Sequence, residues 1–185
     1  LIIFTSDNGT TFTGGVDRKF FNSLDGLKGH KCNLYEGGVR VPFVARWPAK
    51  IKAGSTSDHV SAFWDMMPTF CEIAGAEAAE NTDGISFIAA LTGQKEQKKH
   101  KFLYWEYSSH GGQVAVRMGD WKGIRTNLAK NPEAGVQLYN LANDRNEQHN
   151  IAARHPEVVE RISKIMRQQH NNSARYKFKA LDGKK

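Results

Sequence analysis

The chain has 185 residues, 39% of them hydrophobic, which is enough to bury a core and argues against disorder throughout. Its formal net charge of +7, from 26 Lys and Arg against 19 Asp and Glu, admits a polyanionic partner without choosing between nucleic acid and a sulfated glycan. No apolar run approaches the roughly 18 residues of a membrane helix, and Cys32 and Cys71, far apart and in no CxxC arrangement, imply neither a zinc knot nor a disulfide framework.

The sequence opens on Leu1-Ile2-Ile3-Phe4 without an initiator Met or a basic leader, and reads as a segment of something longer. Leu1 to Thr5 is a short apolar, β-branched run that predicts a buried strand emptying into the turn Ser6-Asp7-Asn8-Gly9. Ligands gather beyond such strand ends in open α/β sheets. Thr10 to Lys31, rich in Gly, Thr, Asn and Asp, predicts a long loop of the kind that is often functional. Val39 to Trp47 predicts a strand near a sheet edge, interrupted by Pro42, and His59 to Phe63 a further short one.

Asp65 is placed to cap a helix through Ala74, with Pro68 in its first turn, Gly75 past its end, and Met66, Met67, Phe70 and Ile73 mostly on one face. Asp83 to Leu91 predicts a helical stretch stopped by Gly93, and the polar run Gln94 to Lys101 a linker. Beyond a boundary near residue 100 the period becomes two. Phe102–Tyr107, Val114–Met118, Trp121–Arg125 and Val136–Leu141 read as strands, with a tight hairpin at Gly119-Asp120. Pro156 opens an amphipathic helix carrying Val158, Ile162, Ile165 and Met166, with Glu157–Arg161 and Glu160–Lys164 as i,i+4 pairs. In the tail from His170, Arg175, Lys177, Lys179, Lys184 and Lys185 face only Asp182, the composition of a solvated terminus.

Two features carry chemistry. Asp7 and Asn8 set a carboxylate beside an amide oxygen, hard donors of the type that Ca²⁺ and Mg²⁺ accept, although such a triplet with Gly9 is also an ordinary turn. Lys31, before Asn33-Leu34-Tyr35-Glu36-Gly37-Gly38-Val39-Arg40, offers a point charge for an anion, while Glu36 and Arg40 can pair and hold the loop. The plain alternative is a solvated lysine and a structural ion pair.

Phe4-Thr5-Ser6-Asp7-Asn8-Gly9, followed by Lys31 and Tyr35-Glu36-Gly37-Gly38-Val39-Arg40-Val41-Pro42, resembles the second half of the arylsulfatase family. Trp64-Asp65-Met66-Met67-Pro68-Thr69, Asp83-Gly84-Ile85-Ser86, and Leu138-Tyr139-Asn140-Leu141 with Asp144, Glu147 and Asn150 match the family's later motifs in order, to about residue 166. Asn140, Arg145 and Cys32 depart from the usual Asp, Pro and small residue.

The resemblance implies an α/β fold: part of an alkaline-phosphatase-like sheet over 1–100, then over 101–185 a small α+β subdomain of about four antiparallel strands and a helix. It implies a sulfuric ester hydrolase of sugar or aryl sulfates, with Asp7 and Asn8 binding calcium and Lys31 serving catalysis and sulfate binding. His110, in the loop Ser108 to Gln113, is the candidate for a substrate contact at the leaving group. The family's nucleophile is a formylglycine made in a CxPxR-like motif; Leu34 and Ile73 stand where its Pro would follow Cys32 and Cys71, so the nucleophile is expected upstream. The expected partner is a small or glycan sulfate ester, not nucleic acid or membrane, and the longer protein is expected to be exported. A phosphodiesterase or phosphonate hydrolase of the same superfamily, or a non-catalytic polyanion-binding module, are the alternatives.

Overall fold

The structure is a computed structural model that describes residues 1–11 and 13–182, so Lys184 and Lys185 of the basic tail lie outside the described residues. The chain forms two compact units, the first made of Leu1–Thr5 with Pro42–Lys101, the second of Ser6–Val41 with Phe102–Lys185.

In the first unit, β1 (Ile2–Thr5) pairs antiparallel with β2 (Phe43–Arg46), from Ile2 opposite Arg46 to Thr5 opposite Phe43. β1 is not the buried strand expected: Ile2 and Phe4 are exposed, because a two-stranded ribbon has one neighbour and cannot cover its own faces. His59 to Ala62 is not a strand; it leads into a 3₁₀ turn at Phe63–Asp65 and then α2 (Met66–Ala74), closed by Gly75 at φ 68°.

Asp65 does not cap α2. Its carboxylate, fully buried, instead accepts the Ala62 N–H at 2.7 Å and the Ile85 N–H at 2.8 Å, and meets His100 Nε2 at 2.8 Å. Thr69 Oγ1 donates to the Asp65 carbonyl and accepts the Phe87 N–H, so the buried side of α2 is Pro68 and Thr69. The apolar stripe expected to face inward leaves Met67 and Phe70 exposed. The predicted helical stretch is confined to α3 (Ile88–Thr92).

The second unit is built on the meander β3 (Leu103–Tyr107), β4 (Gln113–Met118), β5 (Trp121–Arg125) and β6 (Gln137–Asn140), in that order and antiparallel throughout. The period-two reading located all four strands to within a residue or so, and Gly119 takes the positive φ its hairpin needs. α4 (Pro156–Gln169) lies on one face, where Val158, Ile162 and Met166 join Val114, Val116, Leu138 and Phe178 in the core. The expected i,i+4 ion pairs are not made: Glu160 bonds Arg167 at 3.0 Å and Arg161 contacts the Met118 sulfur, exposed links of small energetic weight.

The loop expected over Thr10 to Lys31 falls within Ser6–Val41, which belongs to this unit. Among the described residues of Ser6–Val41 the one regular element is α1 (Glu36–Val39), so the predicted strand starts only at Phe43. Gly37 and Gly38 are needed here for close approach by the chain itself: a Cβ on Gly38 would sit 2.0 Å from the Asn33 carbonyl oxygen.

Candidate functional site

Asp7, Asn8, Lys31 and His110 all belong to the second unit. Asn8 Nδ2 donates to Asp7 Oδ1 at 2.7 Å, which orders the two side chains as one polar pair. Just after them the Gly9 N–H donates to the Gly38 carbonyl at 2.9 Å, and a Cβ on Gly9 would lie 1.8 Å from the Gly37 oxygen. Only glycine fits there. The Lys31 N–H donates to the Thr10 carbonyl at 2.9 Å, so backbone bonds lace the turn carrying Asp7 and Asn8 to the loop carrying Lys31. Lys31 is exposed, and among the described residues no carboxylate pairs with its ammonium.

As metal donors, Asp7 and Asn8 fit a hard cation in kind but not in number. Ca²⁺ takes about six to eight oxygens, and the described residues hold no group of three or more His, Cys, Asp or Glu suited to a metal. Most of such a shell has to come from beyond them.

His110 is exposed, at φ 50°, stacked on Tyr107 with ring centres 5.7 Å apart. The Tyr107 hydroxyl lies 3.1 Å from His110 Nδ1. The Cys32 side chain first, then burial, raises the tyrosine above its ordinary range. Cys32, His110 and Glu147 all hold positive φ without being glycine, at 73°, 50° and 54°; such backbone strain persists only where its surroundings over-determine it.

Those surroundings are the sheet face opposite α4. Lys122, fully buried on β5, donates to Glu36 Oε1 at 2.7 Å, and Glu147 Oε1 lies 3.2 Å from the same ammonium without a well-aligned hydrogen bond. Glu147 Oε2 accepts the Glu36 N–H at 2.6 Å. Burial pushes the Glu147 carboxyl up, and Lys122 opposes that. Arg40, half exposed, reaches Glu36 Oε2 at 3.8 Å, so the expected Glu36–Arg40 pair exists but is the weaker partner.

Beside this cluster the Lys28 ammonium donates to the Tyr139 hydroxyl at 3.1 Å and the Glu147 carbonyl at 3.2 Å, 4.4 Å from the Tyr35 ring centre. Tyr35 and Tyr139 both donate to Gln137 Oε1 at 2.8 Å, and burial pushes Tyr139 up to about 12, keeping it a donor at neutral pH. Sequence reasoning assigned no role to Lys122, Gln113, Tyr107 or Lys28. A signal existed for Lys122: alternation along β5 puts it on the same face as Ile124, which is apolar.

Residues 29–175 match the family described as N-sulphoglucosamine sulphohydrolase, C-terminal. The chain is 28% identical to an N-acetylgalactosamine-6-O-sulfatase of Bacteroides thetaiotaomicron, over 90% of this chain and 35% of that protein. It is 32% identical to a ulvan-active sulfatase of Formosa agariphila, over 80% and 36%, and 31% identical to human arylsulfatase A, over 89% and 36%. It therefore spans about a third of the length of these curated relatives. Among solved structures, a 6S-sulfatase from a glycosaminoglycan locus of B. thetaiotaomicron aligns with TM-score 0.72 at 27% identity, over 90% of this chain and 38% of that one. A structure solved with k-i-k-neocarrahexaose aligns at 0.70 and 27%, over 90% and 35%, and one holding its substrate D-glucosamine-2-N,6-O-disulfate at 0.62 and 26%, over 74% and 29%.

Proposed function

The chain belongs to the sulfatases, in the C-terminal family of N-sulphoglucosamine sulphohydrolase, and from that premise we propose that it supplies part of the active site of a sulfuric ester hydrolase acting on a sulfated sugar. The observation that carries this reading is the lacing of the Asp7–Asn8 turn to the Lys31 loop by the Gly9–Gly38 and Thr10–Lys31 backbone bonds. Those bonds hold the turn that bears two hard oxygen donors against the loop that bears an ammonium with no carboxylate partner among the described residues.

A sulfate ester resists hydrolysis until charge on its oxygens is neutralised, its sulfur is attacked in line and its leaving oxygen is protonated. Asp7 and Asn8 would hold calcium, which when bound supplies positive charge against the sulfate oxygens. Lys31 donates hydrogen bonds to those oxygens or stands at the leaving-group side. His110, held against Tyr107, faces the sugar that departs. The nucleophile, a formylglycine in the family resembled, lies in the longer protein upstream of Leu1, and that protein is exported. Relatives named for N-acetylgalactosamine 6-sulfate and ulvan, and structures holding a glucosamine disulfate and neocarrahexaose, support a glycan sulfate as substrate.

The test is release of inorganic sulfate by the longer, matured, calcium-loaded protein from an aryl sulfate and from sulfated monosaccharides, with an aryl phosphate in parallel. Lys31→Ala is expected to lower kcat on sulfate by about 10²–10³, the loss seen when one charge-stabilising donor is removed. Absence of sulfate release, or faster release of phosphate, contradicts the reading.

A further inference from the structure

Lys31 and Cys32 are the central residues of a turn closed by the Asn33 N–H on the His30 carbonyl at 2.9 Å, and Asn33 Nδ2 donates to the Cys32 carbonyl at 3.2 Å. Cys32 is left-handed at φ 73°, a conformation that costs a side chain with a Cβ. The buried amide of Gln113 meets this turn from β4. Its Nε2 donates to the Cys32 carbonyl at 2.9 Å, and its Oε1 accepts the Leu34 N–H at 3.1 Å. Gln113 is only 3% exposed, so water does not compete for either bond.

One donor and one acceptor on a single planar group match a carbonyl and an N–H two residues apart. Glutamate lacks the donor, lysine lacks the acceptor, and a methionine of the same reach lacks both. Gln113 is also the register partner of Tyr107 across the β3–β4 pair, and the Tyr107 hydroxyl lies 3.1 Å from His110 Nδ1. One side chain of the hairpin holds the backbone on both sides of Asn33. The loop of that hairpin carries His110.

We propose that Gln113 is a positioning residue that fixes the Lys31 ammonium for contact with the sulfate group by clamping the Cys32 carbonyl and the Leu34 N–H, in register with the hairpin that carries His110. This rests on the reading that Lys31 meets the sulfate. Without the clamp, Cys32 relaxes toward negative φ and the peptide joining it to Lys31 turns, so the lysine loses its aim while the loop stays attached through Lys122 and Lys28.

The experiment is a kinetic double-mutant cycle in the longer enzyme, measuring sulfate release after each variant is shown by melting to be folded at the assay temperature. Gln113→Glu is expected to lower kcat by about 10- to 100-fold, the scale of a misplacement near 1 Å, with KM moving much less. In a Lys31→Ala background the same substitution is expected to change kcat by less than about twofold, since coupled residues do not add. As pH falls the carboxylate introduced by Gln113→Glu protonates and regains a donor, so the activity of that variant relative to the parent rises; adding Cys32→Gly, which removes the penalty on positive φ, recovers part of the loss. Should Gln113→Glu unfold, Gln113→Asn, which keeps both groups on a shorter arm, takes its place in the same cycle. An equal fold-loss with and without Lys31, or an unchanged kcat, overturns the clamp. If Lys31→Ala itself leaves turnover intact, the reading of the site fails, and the clamp with it.

Discussion

On the face of the β3–β6 sheet covered by α4, Val114, Val116 and Leu138 meet Val158, Ile162 and Met166, and β5 contributes Gly123, where a Cβ would lie 2.6 Å from Ile162. On the opposite face the same strands present Gln113, Lys122, Gln137 and Tyr139, each bonded to the loop at residues 28–36. The first face is apolar, non-directional and tolerant of substitutions that conserve volume. The second is directional: each bond specifies where one loop atom must be. The contrast teaches that one meander serves as a core on one side and as a jig on the other, with alternation along each strand separating the two tasks.

The sharpest way to break the comparison is on the polar face. Lys122→Met leaves Glu36 and Glu147 buried without their shared cation, and denaturant unfolding is expected to show a loss of about 3–5 kcal/mol. Adding Glu36→Gln and Glu147→Gln should return much of it. Ile162→Ala, on the apolar face, is expected to cost about 2–4 kcal/mol through its cavity, measured the same way, while kcat at a temperature where the protein is folded stays near the parent value. Tyr35→Phe removes one hydroxyl bond to Gln137 and should cost about 1 kcal/mol, read from the same unfolding curves.

The smallest effect concerns a polar tie on the α4 side. Burial alone would lower the His170 pKa, but bonds to Glu106 Oε2 at 2.8 Å and Asp182 Oδ1 at 3.1 Å outweigh it and raise the pKa above the usual histidine value. A raised folded-state pKa contributes stability that is complete below the unfolded value of about 6.5 and is lost as pH rises through the folded one. Melting temperature should therefore fall across the neutral range, and His170→Gln should flatten that slope. A slope of the same size in the variant would show that the tie has no such role.

The four strands of the second unit were legible because each satisfies alternation locally, and Pro156 and the spacing of Val158, Ile162 and Met166 announced α4 just as plainly. The long loop was legible as a loop, but α1 was not. Its turn is held by the Gly37 N–H bonding the Lys28 carbonyl at 2.7 Å and by contacts that only glycine admits, and none of these is encoded in periodicity. Asp65 had the sequence of a helix cap and was drawn instead to Ile85 and His100, 20 and 35 residues away. Of the candidate site, Asp7, Asn8 and Lys31 were marked by motif. Gln113 was invisible, since its partners lie 79 and 81 residues off and an isolated glutamine at a strand start carries no pattern.

The decisive comparison sets Gln113→Glu against Ile162→Ala in the longer enzyme, both assayed for sulfate release at a temperature where each is fully folded. The expected result is a kcat lowered by about tenfold or more for the first and close to the parent for the second, whatever their relative losses of stability. Equal losses of kcat in the two variants, or a loss confined to Ile162→Ala, would contradict the division of labour between the two faces.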